Sequence, residues 1–120
     1  MEDLVRVLHN FLEQRNWIQF HSPKNLSMSI AIEAAELMEL FQWLTIEESR
    51  QAVQMPEFRQ ALTSELADIF IYLLSLANIS GIDLKQAFLE KMQLNEQRFP
   101  IEDSSMNTLT EKLKRTLQKE

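Results

Sequence analysis

The sequence has no cysteine, one glycine and three prolines among its 120 residues. The absence of cysteine excludes disulfides and zinc–thiolate sites, and it suits a reducing compartment. The shortage of turn-forming residues argues against a sheet and favours long helices joined by a few loops. The first residues lack a basic segment followed by an apolar run, which predicts a protein that is not exported and lies in the cytoplasm.

Positive charge is scarce in the middle of the chain. Between residues 33 and 68 there are eight acidic residues and two arginines, and the whole chain carries a net charge of −6. Such a surface repels nucleic acid, so no nucleic-acid partner is predicted. A small phosphorylated ligand remains compatible if a divalent cation bridges it to the carboxylates.

Long hydrophobic runs are also lacking. The most apolar stretch, residues 69–77, is shorter than the roughly 20 residues of a membrane span, and it is interpreted as part of a buried helix. No membrane partner is predicted. Its helix has almost no polar face, which indicates cover from a second copy, as in a homodimer or homotetramer.

Apolar periodicity predicts an all-α protein. The predicted helices cover about residues 3–16, from Ser22-Pro23 to Leu44, a short helix after a Thr45–Glu48 capping box, residues 57–80 up to Gly81, and the segment from Asp83 to Phe99. Trp17 to Asn25 is predicted to be largely loop. Leucines recur every four residues near the end of the chain, so residues 101–120 are predicted to form a C-terminal helical tail or oligomer contact.

Two pairs of carboxylates interrupt the most apolar helices: Glu33 with Glu36, and Glu65 with Asp68. Residues three apart project from one helical face, so two facing helices would form an oxygen-rich cage. Uncompensated buried charge is costly, so a raised pKa, a cationic side-chain partner or a bound cation is expected, and few lysines or arginines are near enough in the sequence to be that partner. All-oxygen ligation indicates Mg²⁺, with Mn²⁺ as the alternative. The competing interpretation is an ordinary solvated helix face. Glu39, three residues after Glu36, could hold a second ion or orient a water, or it is simply exposed.

Other polar and aromatic residues flank these pairs. Lys91, Asn95 and Arg98 form one stripe suited to phosphate oxygens, and Lys24 and Asn25 could add donors. Aromatic faces stack on nucleobases, which makes base-binding candidates of Trp17, His21, Trp43 and Tyr72. Solvated faces and core packing are the alternatives. Core packing is preferred for Phe20, and His9 is predicted to lie on the surface.

Together these pieces resemble the MazG-like all-α nucleoside triphosphate pyrophosphohydrolases, and most closely their small dCTP pyrophosphatase branch. The segments that carry the resemblance are residues 17–26 (WIQFHSPKNL), 33–43 (EAAELMELFQW), 65–73 (ELADIFIYL) and 91–100 (KMQLNEQRFP).

This resemblance implies a four-helix bundle over residues 1–100, assembled as a dimer or dimer of dimers. It implies Mg²⁺ held by Glu33, Glu36, Glu65 and Asp68. The implied reaction converts a nucleoside triphosphate to monophosphate and pyrophosphate through attack of water at the α-phosphorus, as housecleaning of the nucleotide pool. Glu36 and Glu39 are the candidates that align or deprotonate the water. The aromatic set would surround the base, and the basic and amide set would face the phosphates.

Two other interpretations stay open from the residues alone. One is a non-enzymatic helical module that oligomerises through the apolar face of residues 66–79. The other keeps the enzyme but changes its substrate to dUTP, a phosphoribosyl nucleotide or a modified triphosphate.

Overall fold

The computed structural model describes residues 1–101, together with residues 113, 116 and 117. The helices are α1 (Glu2–Gln14), a 3₁₀ helix (Ile18–Phe20), α2 (Pro23–Phe41), α3 (Ile46–Ala52), α4 (Pro56–Ile79) and α5 (Leu84–Arg98). Residues 1–101 contain no strand, which confirms the predicted all-α class. The predicted C-terminal helix falls almost entirely outside the described residues.

The chain divides into two compact units, residues 1–83 and residues 84–120. The first unit contains α1 to α4, and the second begins with α5. The predicted boundary after residue 100, between a catalytic domain and a tail, stays a prediction.

Local sequence signals define several of the helix ends. The Ser22 hydroxyl accepts a hydrogen bond from the Asn25 amide at 3.1 Å, and Pro23 occupies the first turn of α2. The predicted capping box is confirmed at the start of α3: the Glu48 amide donates to the Thr45 hydroxyl at 3.1 Å, and the Thr45 amide donates to the Glu48 carboxylate at 2.8 Å. Gly81 follows α4 with a φ of 70°, the left-handed conformation that glycine tolerates best.

Two boundaries differ from the sequence prediction. Helix α2 ends at Phe41 rather than near Leu44, because Thr45 must be extended to cap α3 and the chain leaves the helix in a turn closed by Leu44 N–H to Phe41 C=O at 2.9 Å. The segment expected to be loop contains the 3₁₀ helix, closed by the His21 amide donating to the Ile18 carbonyl at 3.0 Å.

Helices α2 and α4 form the main packed pair of the first unit, and α1 packs on α4. The pair is antiparallel. Phe41, at the end of α2, meets Phe58, near the start of α4, with ring centroids 5.1 Å apart. His21, just before α2, lies 3.2 Å from Ser75 near the end of α4. The middles of the two helices therefore face each other.

Helix α4 is 24 residues long, enough by length and composition to cross a membrane. The core helix of a soluble protein passes the same test of length and composition, so the predicted absence of a membrane span stays a prediction. The predicted burial of α4 is incomplete within one chain: Leu66 is 51 % exposed, and Phe70 and Leu73 are each 38 % exposed.

Candidate metal centre and cleft

Three carboxylates meet where α2 and α4 face each other. Glu33 and Glu36 come from α2 and Glu65 from α4, and one oxygen of each lies within 4.8 Å of the others. The three-residue spacing places the two α2 carboxylates on one face, and the antiparallel pairing brings the α4 carboxylate opposite them. Three of the four predicted metal ligands thus form one group, which we call the carboxylate cluster.

The carboxylate cluster lacks compensating positive charge. Among residues 1–101, no ion pair joins it to a lysine or arginine. One oxygen each of Glu33 and Glu65, Oε2 in both, is buried without a hydrogen-bond partner. Burial, together with hydrogen bonding to Glu65 and Glu36 and the negative charges of Glu36 and Asp68, raises the pKa of Glu33 to about 7.

These observations fit a divalent cation. Buried oxygen acceptors without donors are rare in folded proteins and call for a partner. A hard divalent cation would satisfy both orphaned oxygens and offset the repulsion that raises the pKa of Glu33. The cluster is open on one side, since Glu36 is exposed whereas Glu33 and Glu65 are half-buried.

Asp68, the fourth predicted ligand, connects the cluster to a cleft. Its charge is close enough to raise the pKa of Glu33. It also lines a cleft of about 430 Å³ between α1 and α4. A cleft of this size accepts a small organic group such as a nucleobase.

The wall of the cleft is mostly apolar. Its lining comprises Leu4, Val7, Leu8, Phe11, Leu12, Trp17, His21, Asp68, Phe70, Ile71, Tyr72 and Leu74. Phe11 and Trp17 pack edge to face with centroids 5.7 Å apart, and the Arg15 guanidinium lies 3.9 Å above the Phe11 ring. These contacts hold Trp17 at the cleft.

The predicted base-binding residues Trp17, His21 and Tyr72 all line this one cleft. The rings of His21 and Tyr72 lie 6.5 Å apart, and the Nδ1 atom of His21 is 3.2 Å from the Ser75 hydroxyl. The fourth, Trp43, follows the end of α2, is 86 % exposed, and does not belong to the lining. Its role stays a prediction.

The start of α2 places Lys24 and Asn25 on exposed positions. The Asn25 side chain donates to the Phe20 carbonyl at 3.1 Å and so ties the 3₁₀ helix to α2.

Phe20 itself is 61 % exposed, so the prediction that it packs in the core is wrong: the short 3₁₀ helix turns its ring outward. His9 is exposed, which confirms its predicted surface position, and its Nε2 atom lies 3.4 Å from the Glu13 carboxylate.

The predicted phosphate stripe lies on α5, in the second unit. Lys91 and Arg98 are exposed and Asn95 is half-buried. The Arg98 guanidinium lies 5.3 Å from the centroid of the Phe99 ring, and the Asn95 amide is 3.9 Å from the Met92 sulfur. Glu39, on α2, is exposed and lies outside the carboxylate cluster. The roles of these four residues stay predictions.

Sequence reasoning missed two components of the cleft. The α1 wall was interpreted only as an amphipathic helix face, although Leu4, Leu8 and Phe11 are spaced to line one groove. Ser75 was not singled out. The sequence feature that could have identified it is a single serine within the apolar run of α4.

The fold and site define a class of protein, an all-helical chain in which a carboxylate cluster adjoins an apolar cleft. The profile of the MazG-like family matches residues 28–112. The chain belongs to the MazG-like family.

Several similar proteins carry related names. The chain is 43 % identical over 101 residues to dCTP pyrophosphatase 1 of Mus musculus, a match covering 84 % of this chain and 59 % of that protein. The chain is 45 % identical over 101 residues to dCTP pyrophosphatase 1 of Bos taurus, a match that covers 84 % of this chain and 60 % of that protein. The chain thus spans about three fifths of the length of these relatives. The crystal structure of a pyrophosphatase from Archaeoglobus fulgidus superposes with a TM-score of 0.78 at 39 % identity, covering 83 % of this chain and 92 % of that one.

Proposed function

We propose that this chain hydrolyses deoxynucleoside triphosphates, dCTP or a related or modified one, to nucleoside monophosphate and pyrophosphate. The observation that carries the proposal is the position of Asp68, which lines the cleft and acts electrostatically on the carboxylate cluster. A base in the cleft would thereby place its phosphates toward the acidic group. The names of the relatives support a pyrophosphatase activity, and removal of unwanted nucleotides is the physiology we infer.

The chain's residues divide the work. Trp17 offers a face for stacking on the base, and His21 and Tyr72 offer polar atoms beside it. Glu33, Glu36, Glu65 and Asp68 would hold Mg²⁺, or Mn²⁺ in its place. When bound, the ion offsets the triphosphate charge and makes hydroxide more available near neutral pH.

Glu36 is the first candidate for general base, because it is the exposed member of the cluster. It would accept a proton from the attacking water as the water oxygen bonds to the α-phosphorus. The bond from the α-phosphorus to the bridging oxygen then breaks and pyrophosphate leaves. Glu39, one helical turn away, is the alternative base. Lys24, Asn25, Lys91, Asn95 and Arg98 are proposed to face the phosphates.

The same proposal includes the state of the protein in the cell. The exposed apolar residues of α4 support a homodimer or homotetramer in which a second copy covers them. Glu65 and Asp68 lie in the middle of α4, where charge opposes membrane insertion, so we infer a soluble cytoplasmic protein. Its acidic charge opposes nucleic-acid binding.

The deciding experiment incubates the purified protein with Mg²⁺ and a panel of standard and modified nucleoside triphosphates in heavy-oxygen water. We expect monophosphate and pyrophosphate, with the heavy oxygen in the monophosphate, because attack at the α-phosphorus places the new oxygen there. Heavy oxygen in the pyrophosphate would refute that mechanism. The variant Asp68→Asn should lose this activity, because it removes the carboxylate that connects the cleft to the cluster. Glu57→Gln, which removes an exposed carboxylate from the first turn of α4, is its matched control.

A second assay tests the two tryptophans separately. In a Trp43→Phe variant the remaining Trp17 reports on the cleft, and we expect nucleotide to quench its fluorescence. In a Trp17→Phe variant the remaining Trp43 reports on the exposed position. A response of Trp43 equal to that of Trp17 would support its predicted role at the base.

The exposed apolar face also favours the alternative, a helical oligomerisation module without catalysis. That module would show the same melting temperature with and without Mg²⁺. If the protein instead binds the cation only in its folded state, Mg²⁺ must raise the melting temperature.

A further inference from the structure

A hydrogen bond joins His21, which lines the cleft, to the buried residue Ser75 of α4. Ser75 lies between Leu74 and Leu76 on α4 and is only 2 % exposed. Its hydroxyl lies 3.2 Å from the Nδ1 atom of His21, which lines the cleft. A buried hydroxyl at this position therefore controls a side chain that a ligand can reach.

The surroundings of Ser75 indicate which group donates. Some helical hydroxyls donate to a backbone carbonyl of the preceding turn, as Ser49 does to Ile46 at 2.6 Å and Thr63 to Arg59 at 2.8 Å. For Ser75, the hydrogen bond seen within residues 1–101 is the one to His21. Because buried donors are almost always satisfied, this arrangement favours donation from the Ser75 hydroxyl to Nδ1. In a neutral imidazole the proton then resides on Nε2.

We propose that Ser75 is a positioning residue that holds His21 with a protonated Nε2 directed to ligands in the cleft. This inference rests on the proposed function and deepens it. A fixed N–H donor recognises a carbonyl oxygen on the base and offers nothing to an exocyclic amino group. Pyrimidines carry a carbonyl beside the glycosidic nitrogen, whereas adenine carries none. Ser75 thus favours carbonyl-bearing bases through His21.

The first test measures the tautomer without any turnover. Long-range NMR correlation spectra of protein with labelled imidazole nitrogens, at about pH 8 where an ordinary histidine is neutral, report which nitrogen carries the proton. We expect His21 to show a bare Nδ1 and a protonated Nε2. A short histidine-containing peptide gives the unconstrained pattern under the same conditions. In Ser75→Ala, His21 should move toward that unconstrained pattern, and a protonated Nδ1 in the unsubstituted protein would overturn the proposal.

The second test measures base recognition with dCMP and dAMP as probes, so it does not depend on hydrolysis. We expect dCMP to shift the His21 Nε2–H signal more than dAMP, whose base offers only ring nitrogens as acceptors. Ser75→Ala should weaken dCMP binding about fivefold, the loss typical of one neutral hydrogen bond, and Ser75→Thr should restore part of it. Ser49→Ala, which removes a hydroxyl from α3, is the matched control.

A double-mutant cycle separates positioning from general packing. If Ser75 acts through His21, Ser75→Ala has no further effect on dCMP binding in a His21→Phe background. An equal loss in both backgrounds would overturn the proposal. Failure of the hydrolysis assay with these NMR and binding results intact would refute the enzymatic function and leave the role of Ser75 standing.

Discussion

Replacing Glu33 by glutamine should stabilise the protein when no divalent cation is present. Glu33 sits in the carboxylate cluster with an orphaned Oε2 atom, and its pKa is raised from 4.5 to about 7 by burial, hydrogen bonding to Glu65 and Glu36, and neighbouring negative charge. Glutamine keeps the shape of the side chain and removes the charge. The variant therefore loses the penalty of ionising this group inside the fold.

The direction and size of this change in stability follow from the coupling between folding and protonation of Glu33. Because the folded state holds the Glu33 proton more tightly than the unfolded chain, its contribution to stability is complete below pH 4.5 and is lost as the pH rises through about 7. At about 1.4 kcal/mol per pKa unit, the full shift from 4.5 to about 7 sets an upper limit of about 3.5 kcal/mol. The cluster is open on the exposed Glu36 side, so solvent screening reduces this limit to about 1–2 kcal/mol. For a chain of this size that is a change in Tm of about 4–8 °C.

The assay is thermal unfolding of both proteins from pH 5 to pH 8 at one protein concentration, with chelator and then with Mg²⁺. With chelator, the unsubstituted protein should lose stability as the pH rises, and Glu33→Gln should lose less. With Mg²⁺ the order should invert, since a ligand at a hundred times its Kd adds about 2.7 kcal/mol to a protein that can bind it. Glu57→Gln should follow the unsubstituted protein. A Glu33→Gln protein that is less stable in chelator at pH 8 would refute the reasoning.

The other predictions concern activity, assembly and the backbone. Asp68→Asn should reduce turnover at least about a hundredfold in the product assay while the helical circular dichroism is retained, and full turnover would contradict its role. Leu73→Glu, on the exposed face of α4, should lower the mass measured by light scattering to that of the monomer, and an unchanged oligomer would place the contact elsewhere. Gly81→Ala should lower the free energy of unfolding in denaturant by about 1 kcal/mol, because the added Cβ meets no atom within 4 Å and only the positive φ opposes it. Gly81→Asn, which tolerates that φ better, should cost less.

Local chemistry explains why much of the fold could be predicted. The Thr45–Glu48 box, the Ser22 cap and the stop at Gly81 are satisfied within a few residues of themselves, so their outcome hardly depends on the rest of the chain. The carboxylate cluster could be anticipated for a related reason. Charge at helical spacing in apolar helices needs a common partner, and an antiparallel helix pair brings the two positions together.

Features set by tertiary contacts could not be predicted in this way. Whether Phe20 points into the core depends on the 3₁₀ helix and on its tie to Asn25, which sequence periodicity does not encode. The hydrogen bond between His21 and Ser75 joins residues 54 positions apart. The exposure of Trp43 likewise follows from where α2 ends, and that end is imposed by the cap of the next helix.

Because α2 and α4 pair antiparallel, the carboxylate cluster brings together the two ends of one chain segment. Everything between Glu36 and Glu65, including all of α3, becomes a closed loop once an ion joins the two helices. An ion that binds only the folded arrangement stabilises the paired helices by mass action, and this effect does not require an unbroken connection between them. A protease cut within the turn between α3 and α4 should therefore leave two fragments that stay together in Mg²⁺ and separate in chelator.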